Sequence, residues 1–577
     1  MRLQSKNKKI ECNPKEISLK SFFLGPQAEN APWTKQLLGN VFKRWVRWRK
    51  SLFPKDGKAI SLHDQKSHEF IFRRKSFEKA AHELVSRFER EVPKFSPRYV
   101  GHMFSEISLP ALIGHIVALL HNPNNISGES SRVGIQIEDE AVRFLLEMVG
   151  YSTQKSAGHF TSGGTIANLE ALIRAQSRHA LWLSAGASHM GWKKYDESVK
   201  NIKNTSISGD VKHSLRPVIL VPENKHYSWR KGCHLLGLGA EALWPIALDS
   251  EGRLSIESLK TLLNLASAKG RPILLVVSVV GTTELGGIDP ANEVQDVLDQ
   301  WREERGIHIW HHVDGAYGGL FRTLDLKHSK TLTAKSLLAL AAVPRVNSIT
   351  LDPHKLGYVP YASGTFLVRD KRDYYFSTFD DAPYIDFNKN TDRGPFTIEG
   401  SRSAAGAAAT WMTAKTMGLN PEGYGLLLDR TTRIRKELAF QMIQAKLPIQ
   451  IAPGCDTNIL CFACAKEGEK ISISNHKTLQ VFQAFSPSEN GTFIVSKTSL
   501  YWGCYPAYLD QWTSSWKAVR DTNEVLLIRM CMMNPFFGSV ETDVNYPELF
   551  VKHLTVKLNE ISSAEKSLVK KMRSKRI

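Results

Sequence analysis

The stretch Leu351–Gly364, LDPHKLGYVPYASG, puts a lysine, Lys355, just behind an apolar run that begins at Val346 and ends at Leu351. Lysines usually occupy solvated surface. This one leaves an apolar run and enters a segment of glycine, tyrosine and proline with almost no charge. A short apolar run bounded by turn formers reads as a buried strand. The lysine is therefore held at the edge of a core. Desolvation disfavours the charged amine, so its pKa is expected to fall and the amine to become a nucleophile toward carbonyls.

Outward from this point, residues 155–400 alternate between two patterns. Apolar runs such as PVILV (Pro217–Val221), PILLVVSVVG (Pro272–Gly281) and HIWHHVDG (His308–Gly315) alternate with helical stretches such as ANEVQDVLDQWREE (Ala291–Glu304). Strand–helix alternation implies an α/β fold, with a mainly parallel sheet covered on both faces. Before it, DQKSHEFIFRRKSFEKAAHELVSRFEREV (Asp64–Val92) and IEDEAVRFLLEMVGY (Ile137–Tyr151) carry apolar residues at helical spacing. After it come two helical stretches and the strands PIQIA (Pro448–Ala452) and TNILCFACA (Thr457–Ala465). The expected organisation is a basic extension over 1–60, a helical segment over 61–150, a large α/β domain over 151–400 and a smaller α+β domain with a basic tail over 401–577.

The 577 residues carry a net charge of +19, which raises nucleic acid or an anionic membrane as partners. The distribution argues otherwise. Residues 1–60 hold 14 Lys/Arg against 4 Asp/Glu, and Lys566–Arg576 adds six basic residues, so the ends supply +16 of the +19. The middle is near neutral and no specific nucleic-acid partner is expected. FKRWVRWRKSLF (Phe42–Phe53) interleaves tryptophans with cations, a pattern suited to weak contact between residues 1–60 and an anionic surface. The favoured reading is an extension that packs Trp45 and Trp48 on the main body. The longest apolar run, Ile107–Leu120, is shorter than a membrane span and is interrupted by Pro110 and His115. The opening residues have no apolar core behind their basic residues, so no secretory signal is expected. Seven scattered cysteines fit a reducing cytoplasm. Cys461 and Cys464 have C-x-x-C spacing but no second pair nearby, and read as core thiols rather than metal ligands.

Four features of the α/β region carry chemistry. TSGGTIANLEAL (Thr161–Leu172) leads glycines and hydroxyls into a helix, where backbone N–H groups and the helix dipole bind phosphate. Such a turn is common, and it matches neither a P-loop nor a dinucleotide fingerprint. His226 follows the strand PVILV, where a lone histidine is more often structural. Asp314 ends an apolar strand, where ligand crevices lie in open α/β sheets. Lys355 ends another. A phosphate cradle, a stacking histidine, an acid for a ring nitrogen and a lysine for an aldehyde form the set that pyridoxal 5'-phosphate requires.

With these motifs the chain resembles the group II pyridoxal-phosphate-dependent amino-acid decarboxylases. The likeness rests on TSGGTIAN, HYSWRKGCHLLGLG, GTTELGGIDP, HVDGAYGG, DPHKLGYVPY and EGSRSAA, and spans roughly residues 90–540. Within the group it is most similar to bacterial tyrosine decarboxylases, through SPRYVGHMFSE, NNISGESS, Tyr358, Tyr361 and EVLLIRMCMMNPFF. The resemblance implies the PLP-dependent transferase fold type I, with a large seven-stranded-type sheet. It implies that Lys355 bonds the cofactor and that Asp314 holds the ring-nitrogen proton. His226 would stack on the ring, with Ala316 beneath it. Gly163, Gly164 and Thr165 would hold the phosphate, with His354 and Thr282 nearby. His102 and Ser105 would approach the substrate, an L-amino acid, and a homodimer is implied. Where the family usually has alanine after the aspartate, this chain has Gly315. Tyr361 and Tyr384 are the two candidate proton donors to Cα. An aspartate/glutamate decarboxylase shares several motifs. An aminotransferase would anchor the carboxylate with an arginine such as Arg402 or Arg529. A carbon–carbon lyase would use the same lysine, aspartate and histidine, and a non-catalytic scaffold would use only the basic ends.

Overall fold

A computed structural model of the protein describes residues 19–182, 216–374, 394–486 and 492–574. Its centre is a seven-stranded sheet. The strands are β1 (Ala157–Thr161), β2 (Val218–Pro222), β3 (Leu243–Ile246), β4 (Ile273–Val279), β5 (Trp310–Asp314), β6 (Ser348–Leu351) and β7 (Gly364–Val368), in the order β1-β7-β6-β5-β4-β2-β3. The block β3-β2-β4-β5-β6 is parallel, and β7 runs antiparallel to both of its neighbours. Every residue of β2, β5, β6 and β7 is buried. Continuous apolar runs such as ILLVVSV in β4 are what a sheet covered on both faces demands.

Register places the site. Val279 pairs with Asp314, and Asp314 with Thr350, so three adjacent parallel strands end side by side. β1 and β7 pair Thr161 with Gly364. A Cβ on Gly364 would lie 2.5 Å from the Cα of Gly163, so this strand crossing leaves the Gly163 turn against bare backbone. Gly315 has a similar reason: a Cβ there would lie 3.0 Å from the carbonyl oxygen of Thr350.

A second sheet of four antiparallel strands, β8 (Gln450–Ile451), β9 (Ile459–Ala463), β10 (Ser496–Tyr501) and β11 (Glu524–Cys531), is ordered β10-β11-β9-β8. Cys461 lies in β9 with Cys464 just beyond it, both fully buried free thiols. The helix just past residue 400, Ala405–Met417, packs on the helices Leu109–His121 and Arg132–Val149, so packing is continuous across that position. The N-terminal helices behave differently. Ala31–Leu52 buries only Thr34, and His68–Phe88 buries nothing. Trp48 rests on His121, 5.2 Å between ring centroids, while Trp45 carries Arg49 over its ring. No helix among the described residues is long and apolar enough to cross a membrane.

Gly364→Ala should destabilise the protein by about 1–3 kcal/mol, the usual cost of overpacking. Gly503→Ala, where nothing lies within 4 Å of an added Cβ, should not. Thermal midpoints of the two variants check this; equal midpoints would mean the β1–β7 crossing yields freely.

Candidate cofactor site

The ends of β4, β5 and β6, the turn into helix Gly164–Trp182 and the loop after β2 converge on a cavity of about 370 Å³. Gly163, Gly164, Thr165, His226, Asp314, Ala316, His354, Lys355 and Tyr361 all line it. A chain that brings a helix N-terminus and three strand carboxyl ends together concentrates backbone donors at one opening, where ligands of open α/β sheets bind.

Lys355 reaches Asp352, Nζ to Oδ2 at 2.9 Å, with the carboxylate 2% exposed. Burial pushes the amine's pKa down. The charge and hydrogen bond of Asp352, with Asp314 and Tyr361 beyond, outweigh burial and leave it above the ordinary lysine value. The expectation of a lowered pKa is thus corrected: the amine is desolvated, but it is paired. The sequence motifs do not mark Asp352, although its position three residues before Lys355 is a signal for such a pair. Its Oδ1 is buried with no partner and lies 3.3 Å from where a Cβ on Gly164 would sit.

His354 accepts the Ser363 N–H at Nδ1, 3.0 Å, and its ring stacks on Tyr361 at 4.0 Å. Burial pushes its pKa below the ordinary imidazole value despite nearby Asp352. His226 is half-buried, with Nδ1 2.9 Å from Ser228 Oγ, and burial lowers its pKa also. Both rings are therefore neutral around pH 7. Asp314 is 4% exposed and accepts two donors on Oδ2, the Asn168 amide at 2.8 Å and the Trp229 indole at 3.2 Å. Its Oδ1 receives only the Ala316 N–H, at 3.4 Å.

Two expected residues lie off the cavity wall, and a third lines the groove beside it. The Thr282 hydroxyl accepts the Gly287 N–H at 2.9 Å and closes its own turn; the next residue, Thr283, lines the cavity. His102 is exposed, its ring beside Phe104, and Met103 is the residue of that segment at the cavity wall. Ser105 lines the adjoining groove, on the side expected for substrate. A turn and an irregular segment decide these directions, and neither has a period that can be read from sequence. Tyr384 lies outside the described residues. Arg402 is held by Glu138, by the Phe160 carbonyl and by the Asn125 carbonyl, and Arg529 by Ser496. Neither arginine lines the cavity.

The groove holding Ser105 measures about 650 Å³ and opens on His354, Lys355 and Tyr361. Phe88, Phe95, Phe104, Ile107, Leu112 and Val359 make it mostly apolar. Glu106 also lines it, buried, with Oε2 unpartnered. Burial pushes its carboxyl up to about 7.

The site suits pyridoxal phosphate: an amine for its aldehyde, an Asp314 Oδ1 that carries one long N–H contact for its ring nitrogen and a glycine turn at a helix N-terminus for its phosphate. A Cβ on Gly164 would meet Asp352 Oδ2 at 2.8 Å and Ala316 at 3.1 Å, so a side chain there would fill the cradle. Residues 90–465 match the pyridoxal-dependent decarboxylase conserved domain. The chain belongs to the pyridoxal-dependent decarboxylase family. It is an enzyme, a carboxy-lyase, with pyridoxal 5'-phosphate as cofactor. The decarboxylase is similar to L-tyrosine decarboxylase of Levilactobacillus brevis, 30% identical over 91% of this chain and 94% of that relative. The L-tyrosine decarboxylase of Enterococcus faecium is 28% identical over 95% and 100%. In fold the decarboxylase is similar to Oryza sativa TDC with PLP and tryptamine, at a TM-score of 0.66 and 15% identity, over 92% of this chain and 98% of that one.

In Asp352→Asn the Lys355 ammonium loses its partner, so its pKa falls and free amine appears at lower pH. The pH profile of the rate at which cofactor-free enzyme captures pyridoxal, followed by absorbance, should shift to lower pH. An unmoved profile would remove Asp352 from that role.

Proposed function

We propose that this decarboxylase converts L-tyrosine to tyramine and CO2. The observation that carries this reading is the apolar, aromatic-lined groove opening directly on Lys355, Tyr361 and His354. An aromatic side chain gains free energy by leaving water for such a surface. Apart from Lys355, the one lysine or arginine among the described residues lining the groove is Lys94, which pairs with Glu91 at 3.7 Å, so the side chain of aspartate or glutamate meets no second cation without its own acid there.

Pyridoxal phosphate, when bound, supplies an aldehyde that bonds the substrate amine and a ring that draws electrons from the Cα–carboxylate bond. Lys355 is the amine that would hold the cofactor and yield its place to the substrate amine. Gly163, Gly164 and Thr165 present the helix N-terminus to the phosphate. Asp314 would keep a proton on the ring nitrogen through Oδ1. His226, neutral, would cover one face of the bound ring, and Ala316 would lie on the other side. His354 orients Tyr361 by stacking. Tyr361 holds the proton delivered to Cα, since a phenol keeps its proton at neutral pH. Tyr384 is the second candidate for that proton.

We also propose a homodimer. The helix His68–Phe88 exposes Ile71, Phe72, Phe77, Leu84, Val85 and Phe88 and buries none of them. A helix gains most of its stability from packing an apolar face, so a second copy is its natural cover. The six described cysteines are free thiols, which accords with the cytoplasm as the working compartment.

Carbon dioxide release from tyrosine, DOPA, phenylalanine, glutamate and aspartate, compared side by side, tests the substrate. Tyrosine should lead, and release from the acidic substrates alone would overturn the reading. Tyr361→Phe should lower kcat roughly 10²–10⁴-fold with KM little changed. A normal kcat there, with a loss in Tyr384→Phe, would move the proton to Tyr384. Phe77→Asp combined with Leu84→Asp should yield monomer by light scattering; a dimer that persists would place the interface elsewhere.

A further inference from the structure

Asn168 is buried, four residues into the helix that starts at Gly164, and its amide is bonded at both ends. Its Nδ2 donates to Asp314 Oδ2 at 2.8 Å and to Ser228 Oγ at 3.0 Å. Its Oδ1 accepts from Thr350 Oγ1 at 2.8 Å and faces His312 Nε2 at 3.3 Å. Thus β5, β6, the helix and the loop carrying His226 meet on one side chain.

The hydrogens in this array have a single consistent direction. The Trp310 indole donates to Ser348 Oγ at 2.8 Å, and Ser348 Oγ lies 2.7 Å from His312 Nδ1. Burial lowers the His312 pKa to about 4, so the ring is neutral and carries one N–H. With that N–H on Nδ1, Nε2 could be satisfied only by the Thr350 hydroxyl, 3.3 Å away, which would then be lost to the Asn168 oxygen at 2.8 Å, and the Ser348 hydrogen would lack an acceptor. With it on Nε2, Ser348 donates to Nδ1, Nε2–H points at Asn168 Oδ1 and every group is satisfied. The Asn168 oxygen then takes two donors, which fixes its NH2 toward Asp314 and Ser228. Ser228 passes its own hydrogen to His226 Nδ1, 2.9 Å away, and its backbone N–H points at the same nitrogen. The His226 proton is thereby confined to Nε2.

Two properties follow. Asp314 Oδ2 takes its hydrogen bonds from neutral donors, Asn168 and Trp229, so no hydrogen-bonded cation on that oxygen competes with a protonated ring nitrogen at Oδ1. The same amide that orients Asp314 also sets the tautomer of His226 on the ring face. We propose that Asn168 is the positioning residue that couples Asp314 to His226 and so fixes the protonation state of the bound cofactor ring. This inference rests on the proposed roles of Asp314 and His226.

Asn168→Asp removes the donor at nearly constant volume and sets an acid against Asp314. Holoenzyme loaded with pyridoxal 5'-phosphate labelled with ¹⁵N in the ring is read by NMR. In the wild type the ring signal should be that of a protonated pyridine. In Asn168→Asp it should move to the unprotonated position, and cofactor affinity should fall roughly tenfold or more, the scale seen when outer partners of a binding group are lost. Asn168→Ala gives the same readout should the aspartate variant fail to fold. Ser228→Ala cuts only the His226 branch and should leave the ring signal in place. A ring that stays protonated in both Asn168 variants overturns the role of Asn168 alone. An unprotonated ring in the wild type overturns the assignment of Asp314 and this inference with it.

Discussion

A carboxylate buried at the centre of a sheet must be supplied with donors, because an unpaired buried charge costs several kcal/mol. Asp314 ends β5 between Val279 and Thr350, with the sheet beneath it. Two N–H groups are brought to one of its oxygens, from the helix after β1 and from the helix after β2. That requirement ties the Gly163–Gly164 turn, His226 and the strand ends into one frame. The cavity is what remains on the other side of the carboxylate.

Lys355 solves a related problem by a different route. Its amine leaves a buried strand, and burial alone would strip its charge. Asp352 lies one turn earlier and restores it, so the lysine waits as an ammonium aimed into the cavity. Pairing keeps the side chain soluble in its own core and fixes its direction. The nearby groove has the opposite character: it is mostly apolar, Glu91 and Lys94 at its rim pair with each other, and Glu106 is pushed toward neutrality by burial. A charged end and an apolar side wall are the two surfaces that an aromatic amino acid presents in complement.

The N-terminal helices break the pattern of the rest of the chain. Elsewhere apolar helical faces are buried within the protein, as in Arg132–Val149 and Tyr424–Gln444. In His68–Phe88 the same kind of face is left bare. Its helical period was legible in the sequence. Whether that face turns inward could not be read there, since periodicity shows that a face exists and not what covers it.

The sequence by itself determined the α/β class, the strands that end at Asp314 and Lys355 and the family, because apolar runs and short glycine-rich turns are local signals. It also brought forward nine residues that line the cavity. Tertiary structure alone decided which way side chains point where no period constrains them. Thr283 rather than Thr282 and Met103 rather than His102 reach the wall for that reason. It likewise decided the state of Lys355. The sequence shows that the amine is desolvated, but the sign of its pKa shift depends on a carboxylate 2.9 Å away, and that distance is set by the turn after β6. Asn168, too, reads only as a polar residue early in a helix; its four partners come from three other parts of the chain, and only folding assembles them.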